Sequence, residues 1–254
     1  MTSSTQHSAR TPALVPQLRL YQDWLQQHSG LQFANYADLH QWSVDEPAAF
    51  WRSIWDYYGL QSPTPIAQVL SDDPMPHARW FDGAQVSLPR QLLRHVQAAD
   101  SAGMAAVISD NELGEARRLG WPELQRQVAS VAVALRALGI QRGDRVAAYL
   151  PNIPETIVAM LACASLGAVW SVCAPDMGLV FVFDCFKQIE PKALIAVDGV
   201  YYGGKPLDRS GVVQALLAEL PTVRHRIIVR SPYASSQVAD SHDWDWTTTQ
   251  DATV

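Results

Sequence analysis

The sequence predicts an α/β fold: a mainly parallel sheet flanked by helices, preceded by a helical N-terminal extension. Three observations predict it. Residues 145 to 229 alternate short apolar runs with helix-period segments, and repeated βα steps of that length imply right-handed crossovers onto a parallel sheet. The stretch IVAMLACASLGAVWSVCA at 157–174 carries no charge, which reaches the lower length limit for a membrane span. Yet Ala, Ser, Gly and Cys contribute little transfer energy, Gly167 stands where a helix from Pro154 would end, and the β-prone Val169, Trp170 and Val172 follow. Together with the run Arg145 to Leu150 before it, the stretch resolves into strand, helix and strand, all buried in a soluble protein, with no membrane span expected. Finally, 48% hydrophobic and 17% charged residues over 254 positions suit a folded core rather than disorder.

The elements follow in order. Residues 1 to about 13 read as a flexible tail, drawn to residue 30 as a segment. Met1 to Pro12 is polar, and Pro16, Gln17 and Arg19 interrupt the apolar positions from Leu14 to Leu20, so no signal peptide is read. Ser43-Val-Asp-Glu46 reads as a capping box. It opens a helix whose Phe50, Trp51, Ile54, Trp55 and Tyr58 form one aromatic stripe, expected to pack against the next domain. Residues 61 to 76, rich in Pro, Ser and Asp, read as a loop, and the extension is bounded at 31–88. From 89 onward the pattern changes. A helix is expected over Arg90 to Gln97, a strand over Met104 to Ile108, and a turn over Ser109 to Gly120. Pro122 suits a first helical turn. Leu124, Val128, Val131, Leu135 and Leu138 share one face of that helix, which Gly139 stops. Strands then fall at 145–150, 169–173, 193–197 and 226–229, and helices at 154–166, 180–189 and 208–220. After Ser231 no period is visible.

Composition excludes several functions. Net charge is −6 with no basic stripe, so nucleic acid is not expected as a partner. Cys163, Cys173 and Cys185 match no zinc spacing and read as buried, reduced thiols of a cytoplasmic protein. His95, His225 and His242 are isolated, and Asp240 to Asp245 reads as a loop rather than a metal site. No catalytic or metal-ligating set is assigned.

One turn invites a phosphate-loop test. Gly199-Val-Tyr-Tyr-Gly-Gly204-Lys205-Pro206 matches G-x-x-x-x-G-K, but Pro206 replaces the hydroxyl residue that would hold Mg²⁺. Pro206 also biases Lys205 away from helical angles. What remains is a tight turn of two glycines, a lysine and two tyrosines. It either offers backbone N–H groups and a cation to a phosphate or is only a turn. Asp176 and Asp184 follow the strand ending at Cys173, at the strand ends where open α/β sheets bind ligands. That makes Ala174-Pro175-Asp176 a candidate contact surface.

These segments carry a family likeness. GDRVAAYLPNIPETIVAMLACASLGAVWSVCAPDMG at 143–178 resembles the adenylate-forming acyl-CoA synthetases. QIEPKALIAVDGVYYGGKPLDR at 188–209 narrows the resemblance to their acetoacetate–CoA ligase branch. FWRSIWDYYGL at 50–60 and ARWFDG at 78–83 resemble that branch's N-terminal extension, and the likeness runs from about Leu31 to Tyr233. Two departures stand out: Ser87-Leu88-Pro89-Arg90 replaces the usual Asn-Tyr-Ala-Glu, and Cys185 replaces a usual arginine.

The resemblance implies the N-terminal subdomain of the adenylate-forming fold. It implies a two-step chemistry in which ATP and acetoacetate, with Mg²⁺, form an acyl-adenylate and pyrophosphate, after which CoA thiol attacks the activated carbonyl. It places Tyr202, Gly203, Gly204 and Lys205 near the phosphates of CoA, and Ala174, Pro175 and Asp176 along its pantetheine arm. The family's Ser/Thr/Gly-rich phosphate loop, adenine motif, hinge and catalytic lysine find no match here; Lys187, Lys192 and Lys205, the three lysines, lack that lysine's context. The expectation is a fragment, residues 89–254 being the first part of the ligase domain, inactive alone and holding none of its ligands tightly. The other reading is a non-catalytic CoA- or nucleotide-binding module, or a partner of a complete synthetase. Oligomeric state has no sequence signal.

Overall fold

Two units, dividing between Val86 and Ser87, make up the computed structural model, which describes residues 16–250. In the first, helices α1 (Pro16–Ser29), α2 (Tyr36–Asp45) and α3 (Pro47–Tyr57) pack around Tyr21, Leu25 and Leu39. Tyr21 and Leu25, one turn apart, share a helix face, and the Tyr21 and Ser53 hydroxyls share a hydrogen bond of 2.6 Å. The tail drawn to residue 30 therefore contains a helix, because that pair gives residues 16–29 an apolar face to bury; residues 1–15 lie outside the described residues.

The capping box is also corrected. Ser43 lies in the last turn of α2, where its hydroxyl donates to the His40 carbonyl at 2.7 Å. Asn35 caps α2 instead, accepting from the Asp38 N–H. The break falls at Glu46 because Pro47 disfavours helical angles in the residue before it, while its own missing N–H suits a first turn. The aromatic stripe finds partners inside its own unit: Phe50 and Ile54 pack on the Tyr21 cluster, and Trp55 stacks on Phe81 with centroids 4.8 Å apart. Trp51 meets Trp80 edge-on yet stays exposed, as does Tyr58. The loop read at 61–76 includes β1 (Gln68–Leu70), antiparallel to β2 (Trp80–Asp82).

In the second unit, α4 (Leu88–Leu93) and α5 (Val96–Ser101) replace the single helix expected there. Strand β3 (Ala105–Ser109) pairs antiparallel with β4 (Arg117–Gly120), so the expected turn at 109–120 is a hairpin. Then come α6 (Trp121–Ala137), β5 (Arg145–Tyr149), α7 (Pro154–Ser165), β6 (Val169–Cys173), α8 (Leu179–Ile189) and β7 (Ala193–Val197). A second hairpin, β8 (Gly199–Tyr202) and β9 (Lys205–Asp208), leads to α9 (Ser210–Glu219) and β10 (His225–Val229). The stretch after Ser231, where no period was visible, contributes β11 (His242–Asp243) and α10 (Trp244–Thr248).

The main sheet has the order β11-β10-β7-β5-β6, every neighbouring pair parallel. Alternation along the strands sorts the side chains between two layers. Val146, Ala148, Ala193, Ile195 and Val197 pack with α6 and α7, while Ala147, Tyr149, Leu194 and Ala196 pack with α8 and α9. All of β7 is buried. β6 is not, contrary to expectation: it ends the strand order, so Val169 and Val172 are about half exposed and only Cys173 is buried. No helix among the described residues is long and apolar enough to cross a membrane.

Polar contacts lock the amino-terminal edge of this sheet. Glu190 ends α8 in the left-handed region, and Arg145 donates to the carbonyls of Ile189 and Glu190 that the helix leaves open. The Lys192 ammonium donates to the Gly139 carbonyl at 2.6 Å and to the Asp144 carboxylate at 2.7 Å. That bond, then one from the Gln141 N–H, holds the Asp144 carboxyl below its usual range. A depressed carboxylate contributes stability above its unfolded value and loses it as pH falls through the folded one. Lys192→Met should therefore lower unfolding free energy by about 1 kcal/mol at neutral pH, the pair being partly solvated. Urea titrations repeated below about pH 4 should show the difference between the two proteins shrinking.

Candidate ligand-binding edge

The chain's crossovers diverge between β5 and β7. From β5 the chain runs through α7 to β6 on one side, and from β7 through α9 to β10 on the other. The carboxyl ends of such a pair border the crevice where open α/β sheets take ligands. Both segments singled out from the sequence leave that edge: Ala174-Pro175-Asp176 follows β6, and the β8–β9 hairpin follows β7. With β5 between them, their strands stand about 10 Å apart.

The hairpin explains its own glycines. Tyr202 pairs with Lys205, which leaves Gly203 and Gly204 as a two-residue loop with φ of 63° and 76°. Positive φ at both central positions is the turn that matches strand twist, and glycine adopts it most readily. Such a loop turns its two N–H groups away from the ladder. Here both meet one carboxylate: Gly203 N donates to Glu112 Oε1 at 3.0 Å and Gly204 N to Glu112 Oε2 at 2.8 Å. The Gly204 bond, then the Gly203 bond, holds the Glu112 carboxyl below its usual range. The Tyr201 hydroxyl donates to the Gly204 carbonyl at 3.0 Å. Tyr202 is half exposed, and the exposed Lys205 ammonium pairs with no acid among the described residues. The turn thus holds one carboxylate on two backbone N–H groups, and the exposed Lys205 follows it in the chain.

Where the hairpin begins, Gly199 passes so close to the next layer that a Cβ there would sit 3.0 Å from that of Tyr233. Just before it, the buried Asp198 carboxylate accepts from the Ser231 N–H at 2.8 Å and from Arg230 at 3.3 Å, tying the end of β7 to the end of β10. Asp208 accepts from the Ser235 and Ser210 hydroxyls and the Ser210 N–H, which pull its carboxyl down to about 2. At the other segment Pro175 is buried and Asp176 exposed, and the buried Tyr149 hydroxyl donates to the Pro175 carbonyl at 2.9 Å. Burial pushes the Tyr149 phenol up, against the field of Arg209. Arg209, whose N–H donates to the Asp198 carbonyl, keeps a buried Nε without a hydrogen-bond partner.

Glu112, Tyr149, Asp198, Asp208 and Arg209 were not singled out from the sequence. Glu112 lies 91 residues before Gly203, and only the turn-forming Asn111 and Gly114 around it hint at a built loop. No group of three potential metal ligands occurs among the described residues. Burial raises the Cys163 thiol to about 12 and the Cys173 thiol to about 11, so neither is poised as a nucleophile at neutral pH.

Known proteins share this architecture. The family described as AMP-binding enzyme matches residues 95–253, and the one described as acetyl-coenzyme A synthetase N-terminus matches 36–88. An acetoacetyl-coenzyme A synthetase of Rhizobium meliloti (strain 1021) is 42% identical over 219 residues, which are 85% of this chain and 32% of that protein. A malonamoyl-CoA synthetase of Penicillium aethiopicum is 35% identical over 205 residues, 80% of this chain and 28% of that one. The solved acetoacetyl-CoA synthetase from Streptomyces lividans superposes with a TM-score of 0.84 at 43% identity, covering 91% of this chain and 36% of that one. The chain thus spans about a third of the length of the curated relatives it matches.

The turn's conformation can be tested apart from any ligand. A Cβ on Gly204 would meet nothing within 4 Å, so only the backbone resists it. Gly204→Ala should cost about 1–2 kcal/mol of stability from left-handed φ alone. Gly204→Asn should cost less, because asparagine tolerates that region; thermal unfolding of the two variants compares them.

Proposed function

This chain belongs to the AMP-binding enzyme family, and from that premise we propose that it is the N-terminal part of an acetoacetate–CoA ligase. Alignment with acetoacetyl-CoA synthetases over most of its length carries the reading. The reaction joins ATP and acetoacetate into an acyl-adenylate with release of pyrophosphate; the CoA thiol then displaces AMP from the activated carbonyl. Acetoacetate and malonamate, the acids implied by the relatives' names, both carry a carbonyl on the third carbon and differ by a methyl against an amide nitrogen. The substrate class is accordingly a short acid with that carbonyl.

In this reading Tyr202, Gly203, Gly204 and Lys205 hold phosphate at CoA's nucleotide end. The two N–H groups supply directed donors and Lys205 a compact charge. Ala174, Pro175 and Asp176 line the pantetheine arm, with Tyr149 fixing that turn through the Pro175 carbonyl. When bound, Mg²⁺ neutralises the ATP phosphates, and no residue here is assigned to it. The family's phosphate loop and catalytic lysine have no counterpart in these 254 residues, so adenylate formation is assigned to segments other than this one. Three reduced thiols fit a cytoplasmic setting.

Two outcomes are expected. The purified 254-residue chain should show no acetoacetate-dependent exchange of pyrophosphate into ATP; measurable exchange refutes the assignment. Lys205→Ala should weaken CoA binding about ten- to a hundredfold, the loss of one charge-assisted contact of about 1.5–3 kcal/mol. Equilibrium dialysis with labelled CoA measures it, and unchanged binding removes Lys205 from the site.

A further inference from the structure

The seat at Gly203 and Gly204 is already filled. Its occupant comes from the loop between β3 and β4, and that loop is built to deliver it. Asn111 organises the segment: its side-chain oxygen accepts from the N–H groups of Leu113 and Glu115, and its amide nitrogen donates to the Glu115 carboxylate at 3.0 Å. The Asp110 carboxylate accepts from the Asn111 N–H, and the Gly114 N–H donates to the Asn111 carbonyl. Glu112 rides at the centre of this scaffold with each carboxylate oxygen on a different glycine N–H. A carboxylate and a phosphate both present paired oxygens to paired donors, and both cannot sit on the same two N–H groups.

We propose that Glu112 is an intramolecular competitor for the anion seat at Gly203–Gly204, which a CoA phosphate enters only by displacing it. The inference rests on the reading of this turn as a phosphate seat. Displacement moves no covalent bond: the carboxylate swings into solvent, where it is already largely exposed, and two donors pass to the incoming oxyanion. The apparent affinity for that anion is then reduced by the fraction of time the seat stands open. The contact sets a threshold on the ligand concentration at which CoA's nucleotide end docks.

The test is calorimetric titration of the full 254-residue chain with 3′-phosphoadenosine 5′-diphosphate, which carries CoA's phosphates without its pantetheine arm. Glu112→Ala should tighten binding about three- to tenfold, the gain when a seat open a tenth to a third of the time becomes fully available. Glu112→Gln, which keeps one acceptor and loses the charge, should fall between. Lys205→Ala, run alongside, reads the seat itself. Weaker binding in Lys205→Ala with no tightening in Glu112→Ala overturns the competition and leaves the seat standing. No change in any variant overturns both. Tightening in Glu112→Ala without an effect of Lys205→Ala supports the competition and removes only the lysine.

Discussion

Two parallel strands cannot be joined by a tight turn, and most of this molecule follows from that constraint. Each return from the carboxyl end of one strand to the amino end of the next needs a crossover. Helices α7, α8 and α9 make those returns, so both faces of the sheet are covered and the strands between them become apolar throughout. In β7 nothing polar faces either layer, and the run Ala193–Val197 is closed to water. Chemistry can therefore reside only at the edges, where the chain leaves the sheet.

The two edges are used differently. At the amino end, contacts satisfy the chain's own groups: Lys192 spans a carbonyl and a carboxylate, and Arg145 closes the end of α8. At the carboxyl end the chain's own groups are less completely satisfied. The Lys205 ammonium is exposed, the Arg209 Nε is buried without a partner, and the Gly203 and Gly204 N–H groups lean on a carboxylate brought from another hairpin. Asp198 and Arg230, one of them fully buried, brace that edge between β7 and β10. Rigid strands beneath and donors held by an exposed carboxylate above are what the proposed CoA edge would require.

The sequence made most of the second unit legible because the signals there are local. Apolar runs of five residues, Pro154 opening a helix and Gly139 closing one located β5 to β7 and α6 to α8 within a residue or two. The errors came where a local rule met a stronger neighbour. Ser43 and Glu46 have capping-box spacing, but Pro47 decided where the helix starts. In residues 16–29 the inward pair Tyr21 and Leu25 becomes meaningful only once Leu39 and α3 are there to receive it. β11 has two residues, too few for a period, and exists through its pairing with Ile227 and Ile228. At the site, the glycines and Lys205 could be read as turn or phosphate seat, with nothing local to decide. Glu112 was out of reach, since a carboxylate 91 residues away announces no destination.

The position of β6 at the end of the strand order leaves one margin of the sheet open among the described residues. Among the described residues no strand pairs with its outer side, and Val169 and Val172 present apolar surface there. The N-terminal turns of α8 add Leu179, Val180 and Phe181, all exposed. A row of open backbone groups beside greasy side chains is a template for strand addition, and it carries none of the lysines or prolines that blunt such margins. Among the described residues that margin therefore has both the backbone groups and the apolar surface that a further strand would need in order to pair with β6.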